Sequence, residues 1–304
     1  MQYRKTIIQP TDGYYKDISE SSIPKKKSGH INLFLFIATV FTTTAVGAVI
    51  ADKNPFESLG SFLNGLPFSV TLLSILGIHE FAHYFTAKLW KIRVTLPYFI
   101  PAPILPLGTF GAVIKMKSSI PTRKALIDMG TSGPIAGFII AVIATIIGLS
   151  LSKVVPAGTL ESETYYILGE SLLFRFLSFI VLGPVNDNYA VIPHPVAFAG
   201  WIGLFVTALN LIPIGQLDGG HILFALSPKT HELVRRIRFP LLLLMGLTFW
   251  NGWYLWAVLS LFFGRRHPYP DRMEPSIGIF RMAAAIITII IFFICITPTP
   301  ISIG

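Results

Sequence analysis

Charge is scarce in this sequence: Asp, Glu, Lys and Arg supply 13% of its 304 residues, against 53% hydrophobic residues and a mean hydropathy of +0.66. That shortage excludes an ordinary soluble domain and makes a polytopic membrane protein the default reading. Cysteine is almost absent. The single Cys295 sits inside an apolar run, which excludes an internal disulfide and a cysteine-based zinc cluster. Acidic residues are fewer than basic ones, leaving a formal net charge of +9. Basic and aromatic residues do not interleave on a polar face, so no nucleic-acid partner is expected. The basic residues instead cluster in short stretches beside apolar runs, as in loops held on the cytoplasmic side of a membrane. No cleavable signal peptide is visible, because Lys25, Lys26 and Lys27 precede the first apolar segment in a polar stretch. The first span is therefore expected to remain as an anchor, in a bacterial cytoplasmic membrane with the N-terminus cytoplasmic.

What the chain does have is long apolar runs. Crossing a hydrocarbon core takes about 20 residues, and runs of that order occupy 31–50, 66–89, 125–151, 196–213 and 277–297. Residues 239–263 read either as one long helix or as two hinged at Asn251 and Gly252. Two helices place Arg265, Arg266, Arg272 and Arg281 on the side of Arg235, Arg236 and Arg238, as the positive-inside tendency favours. Residues 164–183, interrupted by Glu170 and Arg175, suit an interfacial or partly inserted helix. Pro97, Pro101, Pro103 and Pro106 preclude a spanning helix over 96–116. Such a segment lies at membrane depth only where protein or trapped water satisfies its backbone. The expectation is an all-α polytopic membrane protein of about six to eight transmembrane helices, with a membrane-embedded loop or β-hairpin after the second. Residues 1–30 read as a cytoplasmic tail and 31–300 as one transmembrane domain.

The chemistry is concentrated in His79-Glu80-Phe81-Ala82-His83. Histidines at i and i+4 share a helix face and can hold one zinc ion, and the glutamate between them is placed to move a proton there. Ionisable groups in a spanning helix each cost roughly 3 kcal/mol on insertion scales and usually mark a function. Three within one turn call for a partner, and a divalent cation is the natural one. Catalytic zinc usually takes a third protein ligand. The remaining candidates are His30, His194, His221, His231, His267 and the carboxylates. Asp218 is the best of them, because Asn210 to His221 reads as a helix ending at Pro213 and another resuming after Gly219 and Gly220. An aspartate there can turn inward, with the glycines admitting a neighbouring helix. An Asp-Gly turn at the membrane surface is the plain alternative.

Around this core, Asn210 could contact substrate, orient Asp218 or cap a broken helix. His221 could support the site or be a solvated histidine after a turn. Gly133 to Gly137 is expected to permit tight helix packing. Gly108-Thr109-Phe110-Gly111 could offer a strand edge to an unwound substrate peptide, or be a Gly/Pro-rich surface loop.

The paired motifs, His79 to His83 in an apolar helix and Asn210 to Gly220 far downstream, resemble the site-2 protease family of intramembrane metalloproteases. Pro97 to Pro103, Gly108 to Gly111, Ser132 to Gly137, and His267-Pro268 with Asp271 are similar to the plastid and bacterial subgroup containing the EGY-like proteases. The resemblance covers residues 66–300 and implies Zn2+ held by His79, His83 and Asp218, with Glu80 as the catalytic acid/base. It also implies a strand-pairing role for Gly108, Thr109, Phe110 and Gly111, and a transmembrane protein as substrate. The sequence is not expected to accommodate a PDZ or CBS domain, so regulation by those modules is not implied. A metal transporter is the rival class, but transport needs labile sites along a path, and this chain offers one tight cluster with a glutamate to spare.

Overall fold

Residues 28–103, 106–159, 166–263 and 270–303 are described by a computed structural model. Their elements run α1 (Ser28–Ile50), α2 (Leu59–Leu63), α3 (Leu66–Leu89), β1 (Tyr98–Pro101), β2 (Thr109–Val113), α4 (Arg123–Ser150), β3 (Lys153–Pro156), β4 (Tyr166–Leu168), α5 (Leu172–Leu182), β5 (Tyr189–Ile192), α6 (Pro195–Asn210), α7 (Asp218–Leu226), α8 (Pro228–Thr248), α9 (Gly252–Phe263), α10 (Ile279–Cys295) and β6 (Ile301–Ile303). Lys25 to Lys27 and His267-Pro268, both used in the sequence reading, lie outside the described residues, as do Arg265 and Arg266.

Among the described residues three helical stretches are long and apolar enough to cross a membrane: His30–Ile50, Leu59–Leu89 and Arg123–Ser150. The apolar runs at 196–213 and 277–297 yield shorter helices, α6 of 16 residues and α10 of 17. The reason for the first shortfall is local. Pro213 has no N–H to continue the ladder, and 211–217 turn back instead, with Leu217 N donating to Ile214 O. Residues 239–263 are divided: α8 and α9 break at Phe249–Asn251 and pack through Leu242, Trp253 and Ala257. Arg238, buried on α8, donates to the Ser260 carbonyl of α9 at 3.2 Å. Within 164–183 the helix is confined to α5, which leaves Leu172, Phe176, Phe179 and Ile180 exposed.

The core lies where α4 packs between α3 and α6. Small residues set the spacing: Gly200 faces Thr145, Gly148 faces Ala197, and Gly203 faces Ile75 and Ala141. Helices associate closely at such positions because backbones can approach. Around these contacts Leu72, Ile202 and Leu204 are fully buried, while Leu126 and Ile127 are buried in a second cluster with Ala87 and Ile92.

The proline-rich segment forms an irregular ribbon. β1 and β2 pair antiparallel, Tyr98 opposite Val113 and Phe99 opposite Ala112, and the register shifts before Pro101 meets Thr109. The ribbon extends through Thr95 N to Lys115 O and Lys117 N to Arg93 O. It leans on α1, where Asn32 Nδ2 donates to the carbonyls of Leu96 and Pro97, at 3.1 and 2.8 Å.

Candidate metal centre

Helix α3 presents His79 and His83 on one buried face, with exposures of 6% and 7%. The four-residue spacing brings the rings together edge to face, and their Nε2 atoms lie 3.1 Å apart. His83 Nδ1 is 2.8 Å from the Met129 carbonyl of α4. A carbonyl only accepts, so Nδ1 carries the proton and the Nε2 lone pair faces the cluster. Asp218 closes the third side, with Oδ2 at 3.3 Å from His79 Nε2 and Oδ1 at 3.3 Å from His83 Nε2. All three ligand atoms lie within 4.8 Å of one another. Two imidazole nitrogens and a carboxylate aimed at one point are the donor types of a zinc site, and a divalent cation satisfies all three together.

Asp218 reaches this point for a reason other than the one the spacing suggested. It is the first residue of α7, and Gly219 and Gly220 fall inside that helix's first turn, not before it. The glycines do not receive a neighbouring helix. A Cβ on Gly219 would meet the Leu211 carbonyl and one on Gly220 the carbonyls of Ile214 and Gly215, all in the turn between α6 and α7. The tight reversal itself demands glycine, and it points the first side chain of α7 at α3.

Gly133 and Gly137 serve the ligands directly. A Cβ on Gly133 would collide with the His83 ring, and one on Gly137 would sit 3.2 Å from His79 Cβ and Nδ1. The helix packing expected of Gly133 to Gly137 is therefore packing against the two histidines. Glu80 stands on the same helix turn, its carboxylate near the Ile114 backbone just past β2.

The sequence that builds this cluster matches known proteins. The pattern of Peptidase family M50 matches residues 67–247, more than half of the chain and all of the cluster. The chain belongs to peptidase family M50. This M50 chain is 35% identical to the probable zinc metalloprotease EGY1, chloroplastic, of Arabidopsis thaliana, over 67% of the chain and 41% of the relative. It is 29% identical to the probable zinc metalloprotease EGY2, chloroplastic, of the same plant, over 74% of the chain and 41% of that relative. Against EGY1 of Oryza sativa subsp. japonica the figures are 30%, 88% and 50%. The M50 chain thus spans half or less of the length of these relatives.

Other candidates separate clearly. Asn210 ends α6 with Nδ2 3.5 Å from His79 Nε2, so its side chain reaches a histidine. His221 lies one turn beyond Asp218 and is buried against Gly130 of α4; it is not solvated. His194 caps α6 by accepting from Val196 N, and His231 packs on Phe224. Thr109 is buried, its hydroxyl donating to Ile100 O at 2.9 Å and accepting from Gly111 N. Gly108, at φ +72, is pressed on the α1 backbone at Thr42 and Thr43, and Thr42 Oγ1 donates to its carbonyl. Phe110 is exposed, and Gly111, at φ +95, has open space around it. Met129 was missed by sequence reasoning, because it acts through a backbone carbonyl that every residue carries.

Proposed function

We propose that this chain is an intramembrane zinc metalloprotease, hydrolysing peptide bonds within or near transmembrane segments of membrane proteins. The observation that carries this reading is the convergence of His79, His83 and Asp218 beside Glu80, with both histidines and the glutamate on a helix long and apolar enough to span a bilayer. When bound, zinc supplies Lewis-acid activation of water and of the scissile carbonyl. His79, His83 and Asp218 are the residues that would hold it. Glu80 takes a proton from water and returns it to the leaving amine. Its carboxylate stands near the Ile114 backbone, beside the ribbon.

A transmembrane substrate hides its carbonyls in helical hydrogen bonds and must unwind before attack. Among the described residues β2 is paired with β1 alone, which leaves its other edge to receive an extended peptide. Phe110 and Gly111 are the residues offered to substrate, while Gly108 and Thr109 hold the ribbon's shape against α1 and within the hairpin. Asn210, its Nδ2 3.5 Å from His79 Nε2, stands at the metal face within reach of a bound substrate.

Residues 31–300 act as one catalytic domain in this reading. In this reading the membrane is a bacterial cytoplasmic one, and the basic residues beside the apolar runs favour a cytoplasmic N-terminus; the matched relatives are named chloroplastic.

The test is cleavage of a labelled transmembrane peptide by the purified protein and by its Glu80→Gln variant. Zinc should be retained while cleavage falls by about a hundredfold to ten-thousandfold, the range of a lost general base. Cleavage at the wild-type rate by the variant would remove Glu80 from the mechanism.

A further inference from the structure

Away from the metal face, one charged cluster ties three helices together. Asp128, on α4, accepts from Arg281 Nε at 2.8 Å through Oδ1 and from Arg281 Nη2 at 2.9 Å through Oδ2. Its Oδ2 also accepts from Trp90 Nε1 at 3.0 Å. Trp90 is the residue that caps α3, the helix of both histidines, and Arg281 lies in the first turn of α10. The Arg281 guanidinium also stands 5.7 Å from the Trp90 ring centroid. A forked carboxylate–guanidinium pair has a defined plane and reach, so it sets orientation as well as energy.

The next residue along α4 is Met129, whose carbonyl holds His83 Nδ1. Consecutive residues of α4 therefore grip the end of α3 and a ligand on α3. If α4 rotated or slid relative to α3, the Met129 carbonyl would leave the line of the His83 N–H. Backbone and carboxylate partners of ligating histidines fix ring direction and tautomer, and their loss commonly weakens metal binding about tenfold to a hundredfold.

We propose that Asp128, clamped by Arg281 and Trp90, is a positioning residue of the metal centre: it holds α4 in the register that presents the Met129 carbonyl to His83. The proposal rests on the metal-site reading above. It assigns Asp128 no contact with metal or substrate.

The test uses the full chain in detergent micelles and measures zinc affinity by chelator competition. Wild type is compared with Asp128→Asn, Arg281→Ala and Arg281→Lys. The visible absorption of the cobalt-loaded forms and the thermal unfolding of the metal-free forms are recorded alongside. Asp128→Asn and Arg281→Ala are expected to lose about tenfold to a hundredfold in zinc affinity and to shift the cobalt spectrum. Arg281→Lys should recover part of the affinity, because it keeps the charge and loses the fork. Were Asp128→Asn to misfold, the two Arg281 variants make the same comparison. Lowered metal-free stability with unchanged affinity and spectrum would make the clamp merely structural and overturn the proposal. Wild-type protein without a tight zinc site would overturn the metal-site reading and this inference with it.

Discussion

At the scale of single residues, the site is built from side chains with a sequence signature and backbone groups without one. His79, His83 and Glu80 were legible because a four-residue spacing of imidazoles in an apolar run has few other physical purposes. Asp218 was legible because two glycines followed it, although they serve the turn from α6 and not a neighbouring helix. Met129 could not be read, since a carbonyl is common to all residues. Gly133 shows the closest fit in the centre, its α-carbon lying against the His83 ring. Gly133→Ala should therefore cost about 1–3 kcal/mol, as overpacking does, and lower zinc affinity as the ring is displaced. Denaturant titration and chelator competition measure the two effects. An alanine variant with wild-type zinc affinity would show that the cradle yields without moving the ligand.

At the scale of elements, the ribbon of β1 and β2 illustrates what composition can and cannot give. Prolines excluded a helix over 96–116, and the segment does pair with itself, but its register was not readable. That register depends on where α1 receives it, through Asn32 and Thr42. Ile114→Pro disturbs the end of the strand beside Glu80. Activity is expected to drop more than tenfold with zinc content unchanged, since no ligand is touched; a matching loss of zinc would place the ribbon in the metal site's support instead. The shortness of α6 and α10 against their apolar runs has the same root. Hydropathy marks what is buried in lipid or protein, whereas the helix stops where the backbone loses donors, as at Pro213.

At the scale of the whole molecule, α3 has 24 residues, about 36 Å at 1.5 Å per residue, enough to cross a hydrocarbon core of about 30 Å. Its ends are marked by the acidic stretch at Asp52 and Glu57 before it and by Lys88, Lys91 and Arg93 after it. Single cysteines placed at Asp52 and Lys91 in a Cys295→Ser background should react with an impermeant thiol reagent from opposite faces of sealed vesicles. Labelling of both from one face would contradict the orientation.

The central claim is that residues from α3 and the start of α7 bind one cation together. Zinc content and zinc K-edge absorption of the purified chain, wild type and Asp218→Ala, test it most directly. The account predicts one zinc per chain coordinated by two imidazoles and a carboxylate oxygen, with that oxygen and most of the affinity lost in the variant. A variant that keeps its zinc with an unaltered coordination shell would contradict it.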